Sequence, residues 1–274
     1  MIIKDENKTN QIQKMLGDNE RPYCMVGIPS WQGMLDPDML ACLNHLKYHN
    51  WAQGVLVGES HGTGSMIAVN RNKVIKEAIK NGAEYLLLVD TDMIFPPDSI
   101  QRLAAHDKPV VAGLAFSKMH NSVPNMYWRG DDGEWSPIVE WDDGTLVKVD
   151  CIGGAFILIK TEILKDLPAP WFASPTVADY YTMMAAETAS AAGGDVRAVL
   201  ESMKKKFAGN DNVMGEDFYF SELLRRNGIP IYVDTSLKIG HVGRYPFGYH
   251  NFKAAKEAGN LDHLIRNKVA GHDA

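Results

Sequence analysis

Two carboxylates one residue apart, Asp90 and Asp92, end the apolar run of residues 84–97, EYLLLVDTDMIFPP. Carboxylates so spaced are hard oxygen ligands for Mg²⁺ or Mn²⁺. Asp before Pro is also a common way to end a strand and begin a turn, and the short pattern fits both uses. A short, uniformly apolar run predicts a parallel strand buried on both faces, and ligands of such sheets gather at the carboxyl ends of the strands. Strand alternation puts Asp90 and Asp92 on one side with Thr91 opposite, aiming two charges at a common positive partner.

Other residues have the types that chemistry uses. Glu216 and Asp217 follow Gly215 at the start of a helix, where acids also simply favour the helix dipole. His241 stands in IGHVG, and a lone histidine among glycines suits a turn as well as a ligand role. Arg71 lies on a helix predicted over 67–81, with Val74, Ala78 and Ile79 facing inward and Arg71, Lys73, Lys76 and Lys80 outward. The stretch GESHGTGS at 58–65 suggests a phosphate cradle but fits neither glycine-rich fingerprint, so a flexible turn is expected. Gly153 and Gly154 interrupt a strand predicted over 149–159, which marks close approach of a backbone or ligand.

The elements needed to position these residues follow from periodicity and punctuation. A strand over 23–28 runs into Pro29-Ser30 and the loop Trp31-Gln32-Gly33. Asp36-Pro37-Asp38 starts a helix over 39–49 with a stripe of Leu40, Leu43 and Leu46, and a strand over 54–57 follows. After the opening strand come a helix at 100–106 and a strand at 109–115. The order β-α-β-α-β predicts an α/β chain with a doubly wound parallel sheet. Residues 116–150, with Trp128, Trp135 and Trp141 among turn signals, predict hairpins whose aromatics either stack on a ligand or fill a small second core. A helix at 161–167 is stopped by Pro168 and Pro170 before Trp171-Phe172. The alanine-rich segment 177–208, with Lys204-Lys205-Lys206, reads as a helical lid or a solvated insert. A helix at 218–227, strands at 229–233 and 236–242, and an aromatic, then helical and mildly basic stretch at 244–274 complete the chain.

The 274 residues suffice for one large or two small domains, and 45% hydrophobic and 23% charged content is that of an ordinary soluble protein. A net charge of −6 argues against a generally cationic nucleic-acid binder. Cys24, Cys42 and Cys151 lie far apart, which predicts buried thiols in a reducing cytoplasm rather than disulfides or a zinc cage. The polar residues 1–21 lack the features of a signal peptide, and no apolar run is long enough to span a bilayer.

Taken in order, the strand before Pro29-Ser30, Arg71-Asn72, LLLVDTDMIFPP, GGAFILIKTEIL, PWF, GEDFYF, RRNGIPIYVD and IGHVG resemble nucleotide-sugar-dependent glycosyltransferases of the GT-A fold. The likeness is to the compact bacterial and phage members, with an echo of fungal mannosyltransferases in the Arg71-Asn72 and D-x-D pairing. It implies a Rossmann-like, mostly parallel sheet flanked by helices with a smaller mixed or antiparallel acceptor-side portion. The implied division is a polar extension (1–21), one domain (22–250) with a nucleotide half (22–115) and an acceptor half (116–250), and a helical tail (251–274). The resemblance also implies Mn²⁺ or Mg²⁺ on Asp90, Asp92 and His241. Pro29, Ser30, Glu59, Arg71 and the two aspartates would bind a UDP- or GDP-sugar. Glu216 and Asp217 would be catalytic: in an inverting member Asp217 is the general base, in a retaining one the carboxylate positions acceptor or donor, and Gly153, Gly154, Trp171 and Phe172 would line the acceptor pocket. Lys118 and Arg244 are further cations for the diphosphate. The implied setting is the cytoplasm, that of the host for a phage-encoded protein.

The expected acceptor is a saccharide or small-molecule hydroxyl. Phage enzymes of this kind also glycosylate hydroxymethylated bases in DNA, and Lys204-Lys205-Lys206 with residues 244–268 could meet phosphates. A haloacid-dehalogenase-like phosphatase also places D-x-D after an apolar strand, but on the first strand and with Thr or Val where this chain has Ile94. A non-catalytic nucleotide-sugar-binding module is the remaining alternative.

Overall fold

A computed structural model describes residues 22–118, 122–130, 134–209, 211–243 and 248–260. Its centre is an eight-stranded sheet in the order β2(Val57–Thr63), β1(Cys24–Ser30), β3(Tyr85–Val89), β10(Phe156–Lys160), β5(Val110–Ala115), β11(Ile231–His241) and β4(Met93–Ile94), with β8(Leu146–Val149) also on β11. Strands β2, β1, β3, β5 and β11 run the same way, and β10, β8 and β4 run against them. A small antiparallel sheet, β7(Trp135–Pro137), β6(Met126–Arg129) and β9(Cys151–Ile152), stands beside it.

Helices cover both faces. The core on one face takes Met39, Leu43 and Leu46 of α1(Pro37–Ala52) and Ile100 and Leu103 of α3(Ser99–Ala104). The other takes Val74, Ile75 and Ala78 of α2(Ile67–Lys80), Leu164 of α4(Thr161–Asp166), Phe220, Leu223 and Leu224 of α7(Glu216–Arg226), and Phe252 of α8(Tyr249–Glu257). Strand β3 feeds both, Leu86 and Leu88 to the second and Tyr85, Leu87 and Val89 to the first. Two uniformly apolar faces are why this strand shows no alternation in its sequence. Residues 177–208 form a helical hairpin, α5(Val177–Ala191) and α6(Val196–Lys206), tied to α7 by Glu187–Arg226 at 2.8 Å. No described helix is long and apolar enough to cross a membrane.

The sheet is mostly parallel and flanked by helices, as expected, with β10 entering antiparallel between β3 and β5. Several finer expectations are corrected. The strand expected over 149–159 is two: at Gly153-Gly154 the chain passes from the small sheet to the large one. The strand expected at 54–57 begins only at Val57 and includes most of the glycine-rich stretch, with Thr63 opposite Ser30 of β1. The glycine serves packing there, since a Cβ on Gly62 would lie 2.2 Å from the Asn70 carbonyl oxygen in the first turns of α2. Leu40 is exposed and Met39 takes its place in the stripe of α1. The two strands expected over 229–242 are the single β11, bulged between Asp234 and Lys238. The aromatics of this region pack on the protein rather than forming a separate core: Trp141 stacks on Phe252 at the edge of the main core, and Trp135 meets the edge of Phe218.

Candidate active site at the carboxyl edge of the sheet

Strand β3 ends at Val89, so residues 90–92 form a turn rather than a continued strand. Backbone bonds pin this turn: Asp90 N–H donates to Ala155 O at 3.0 Å, Asp36 N–H to Thr91 O at 2.9 Å, and Val242 N–H to Asp92 O at 2.7 Å. The two carboxylates therefore do not point at one partner. Asp90 accepts from Arg71 Nη2 at 3.0 Å, and Asp92 is paired with Lys118.

Arg71 is the hub. Its side chain is only 3% exposed, contrary to the outward orientation expected for a helix cation. Nη1 donates to Gly154 O at 2.7 Å, Nη2 lies 3.6 Å from Glu216 Oε1, and the guanidinium sits 5.3 Å from the Phe172 ring centre. One buried cation thus joins the D-x-D turn, the double-glycine crossing and the first turn of α7, segments far apart in the chain. Gly154 is what admits it, since a Cβ there would fall 1.6 Å from Arg71 Nη1. Gly154→Ala should cost about 1–3 kcal/mol in urea denaturation by overpacking this contact. An unchanged midpoint would mean that the crossing can shift.

The carboxylates respond to this setting. Burial raises Asp90 above its ordinary value, with Arg71 pulling it down and Asp92 pushing it up. Burial likewise raises Asp217, assisted by Glu216 and opposed by Arg71. Asp217 Oδ1 accepts from Phe218 N–H at 2.9 Å. The helix carrying it is held by the small sheet, through Tyr127 and Trp135 against Phe218 and through Arg129 on the buried Glu222 at 3.0 Å.

His241 comes to the same place because β11 pairs with β4 in the register His241–Met93. It is 7% exposed, and its Nδ1 contacts Phe116 O. A carbonyl oxygen only accepts, so Nδ1 donates in this contact, which in the neutral ring leaves the Nε2 lone pair for a ligand. Among the described residues no three His, Cys, Asp or Glu side chains already converge as a metal site. The donor types of Asp90, Asp92 and His241 nevertheless fit a divalent cation, and the two aspartates are about equally open to solvent.

The remaining expected residues are placed differently. Pro29 and Ser30 are buried at the end of β1, and Ser30 O accepts from Asn70 Nδ2 at 3.0 Å. Beyond them opens a recess of about 350 Å³ lined by Trp31, Gln32, Thr63, Gly64 and Ser65. Trp31 is 63% exposed there. Its place directly after a strand end was the sequence signal for this recess. Glu59 is not at the mouth: it lies mid-strand opposite Val26, bonded to Lys47 at 2.8 Å and His61 at 2.5 Å. Burial pushes its carboxyl up, but those two bonds outweigh it and hold the group below its ordinary value. Trp171 and Phe172 are core residues rather than a pocket lining, with Trp171 Nε1 on Leu164 O and Phe172 stacked on Phe220. Asn72 fixes them, its Oδ1 accepting from both backbone N–H groups at 3.1 Å. Gly153 packs against Asn125, where a Cβ would meet that side chain at 2.9 Å. Arg244 lies outside the described residues.

No family model matches the sequence, and no curated protein matches it. Among solved structures, A197 from STIV superimposes with a TM-score of 0.50 at 17% identity, over 80% of this chain and 85% of that one. The fold is shared with A197. Weaker likenesses are GalNAc-T7 crystallised with UDP, GalNAc and Mn²⁺ (TM-score 0.46, 12% identity, 83% of this chain) and mannose-1-phosphate geranyltransferase from Thermus thermophilus (0.36, 12%, 80%). This chain spans 45% of the GalNAc-T7 chain and 75% of the Thermus one.

Proposed function

We propose that the chain transfers a sugar from a UDP- or GDP-sugar to a hydroxyl acceptor, with a divalent cation. The carrying observation is the buried Arg71, which gathers Asp90 and Glu216 at the carboxyl edge of the sheet beside the Trp31 recess. A sheet edge of this kind is where nucleotides bind, and the recess offers an indole face for a base. Arg71 is spent on these contacts, so its role is to position carboxylates. Lys118, 42% exposed on Asp92, is the cation able to exchange onto a diphosphate.

Asp92, His241 and Asp90 would hold the metal. When bound, it supplies Lewis-acid stabilisation of the departing diphosphate. Asp217 would take the proton from the acceptor hydroxyl in an inverting reaction, and burial, by raising its pKa, makes it a stronger base than an ordinary aspartate. The acceptor is proposed to be a saccharide or small molecule. The lysines at the end of α6 are exposed and could instead face DNA phosphates, in which case binding would weaken steeply with salt.

A panel of nucleotide-sugars with Mn²⁺, scored for nucleoside diphosphate release and for protection against heat, tests the reading. No release and no protection with any UDP- or GDP-sugar would overturn it; protection without release would favour a binding module. Asp217→Asn should lower kcat by about 10²–10⁴-fold with little change in donor affinity and remove the rise of rate with pH through the Asp217 titration. Equal losses in rate and affinity would assign Asp217 to binding.

A further inference from the structure

A second concavity, of about 310 Å³, lies at the opposite end of β2 from the Trp31 recess and is lined by Asn44, Lys47, Tyr48, Trp51, Leu56 and Val57. Seven residues of strand separate it from the carboxyl edge, about 20 Å at the usual rise. Asn44, Tyr48 and Trp51 stand at i, i+4 and i+7 on α1 and so share a face. Tyr48 is 71% and Trp51 66% exposed, which leaves two large rings on one helix face in contact with water.

We propose that this groove binds an uncharged saccharide. The aromatic faces would take the C–H face of a pyranose, as amphipathic rings do for ligands with one apolar and one polar side. Hydrogen-bonding groups surround them: the Asn44 amide bonds no other described residue, and the Tyr48 hydroxyl and Lys47 ammonium stand beside it. The Lys47 ammonium is held by Glu59 at 2.8 Å, so it is not a free cation recruiting an anion to the groove. Its volume is that of a small-ligand site, whereas a protein partner would need about 800 Å² from each side. Leu56 and Val57 supply an apolar floor. The proposal stands apart from the transfer reaction, because it needs neither donor nor metal.

Calorimetry of the full chain against gluco-, manno-, galacto- and N-acetylglucosamine hexasaccharides, without nucleotide or metal, tests it. At least one should bind at millimolar concentration, and Trp51→Ala and Tyr48→Ala should each weaken it by about tenfold. Asp92→Ala should leave it unchanged, which separates this site from the carboxyl-edge site. Both rings are exposed, so circular dichroism should show intact folding in each variant. Absence of binding by all four sugars overturns the proposal, as does binding insensitive to Trp51→Ala. A Trp51→Ala variant that changes only the sedimentation of the protein would assign the face to self-association and equally overturn it.

Discussion

Asp92→Ala should abolish metal-dependent release of nucleoside diphosphate, a loss of about 10²–10³-fold or more, while leaving the fold intact. The first half follows from the site: Asp92 is a part-exposed carboxylate paired only with the exposed Lys118, and it stands beside His241 and Asp90. The second follows from energetics. The side chain is 29% exposed and its partner Lys118 42% exposed, and ion pairs of that kind contribute only about 0–1 kcal/mol. Mn²⁺ binding by electron paramagnetic resonance gives a readout independent of turnover. Unchanged Mn²⁺ affinity in the variant would remove Asp92 from the metal site.

Arg71→Met should do the reverse and damage the fold first. Removing a buried cation leaves Asp90 and Glu216 facing each other without compensation, a loss of about 3–5 kcal/mol for a broken buried pair. Its pH dependence has a definite sign. Asp90 and Asp217 already titrate above their unfolded values, so the folded state binds more protons than the unfolded one between those values, and stability falls as pH rises through that window. Arg71 lowers both, so its removal shifts both further up and extends the window. The deficit should therefore be larger at about pH 8 than at about pH 5 in urea denaturation. A deficit independent of pH would mean that Arg71 acts through its packing on Phe172.

The orientation of Arg71 was legible in the sequence, and its charge concealed it. Arg71, Val74, Ile75 and Ala78 fall at i, i+3, i+4 and i+7, a single helix face, and three of the four are core residues. Strand β3 and the acidic turn were legible because a five-residue apolar strand stopped by carboxylates has few other readings. Direction was not: FILIK in β10 is apolar on both faces whichever way it runs, and only the crossing at Gly153-Gly154 determines that it returns antiparallel. Strand β2 was hidden for another reason. Its glycines and polar residues, GESHGT, suit an edge strand pressed against the start of α2, and that neighbour is a tertiary fact. Glu59 and the Trp171-Phe172 pair were misplaced because a motif gives residue types, whereas burial depends on what folds over them.

The place of β10 has a consequence for how the chain can be divided. It supplies the strand between β3 and β5, so residues 22–115 alone would contain a sheet with its middle rung missing. Both flanking strands would expose unpaired backbone groups, the condition that invites intermolecular pairing. The early strands cannot complete their ladder until residue 160 has been made, which ties folding to a contact of long sequence separation. The later part of the chain thus supplies the strand that completes the sheet begun by the earlier part.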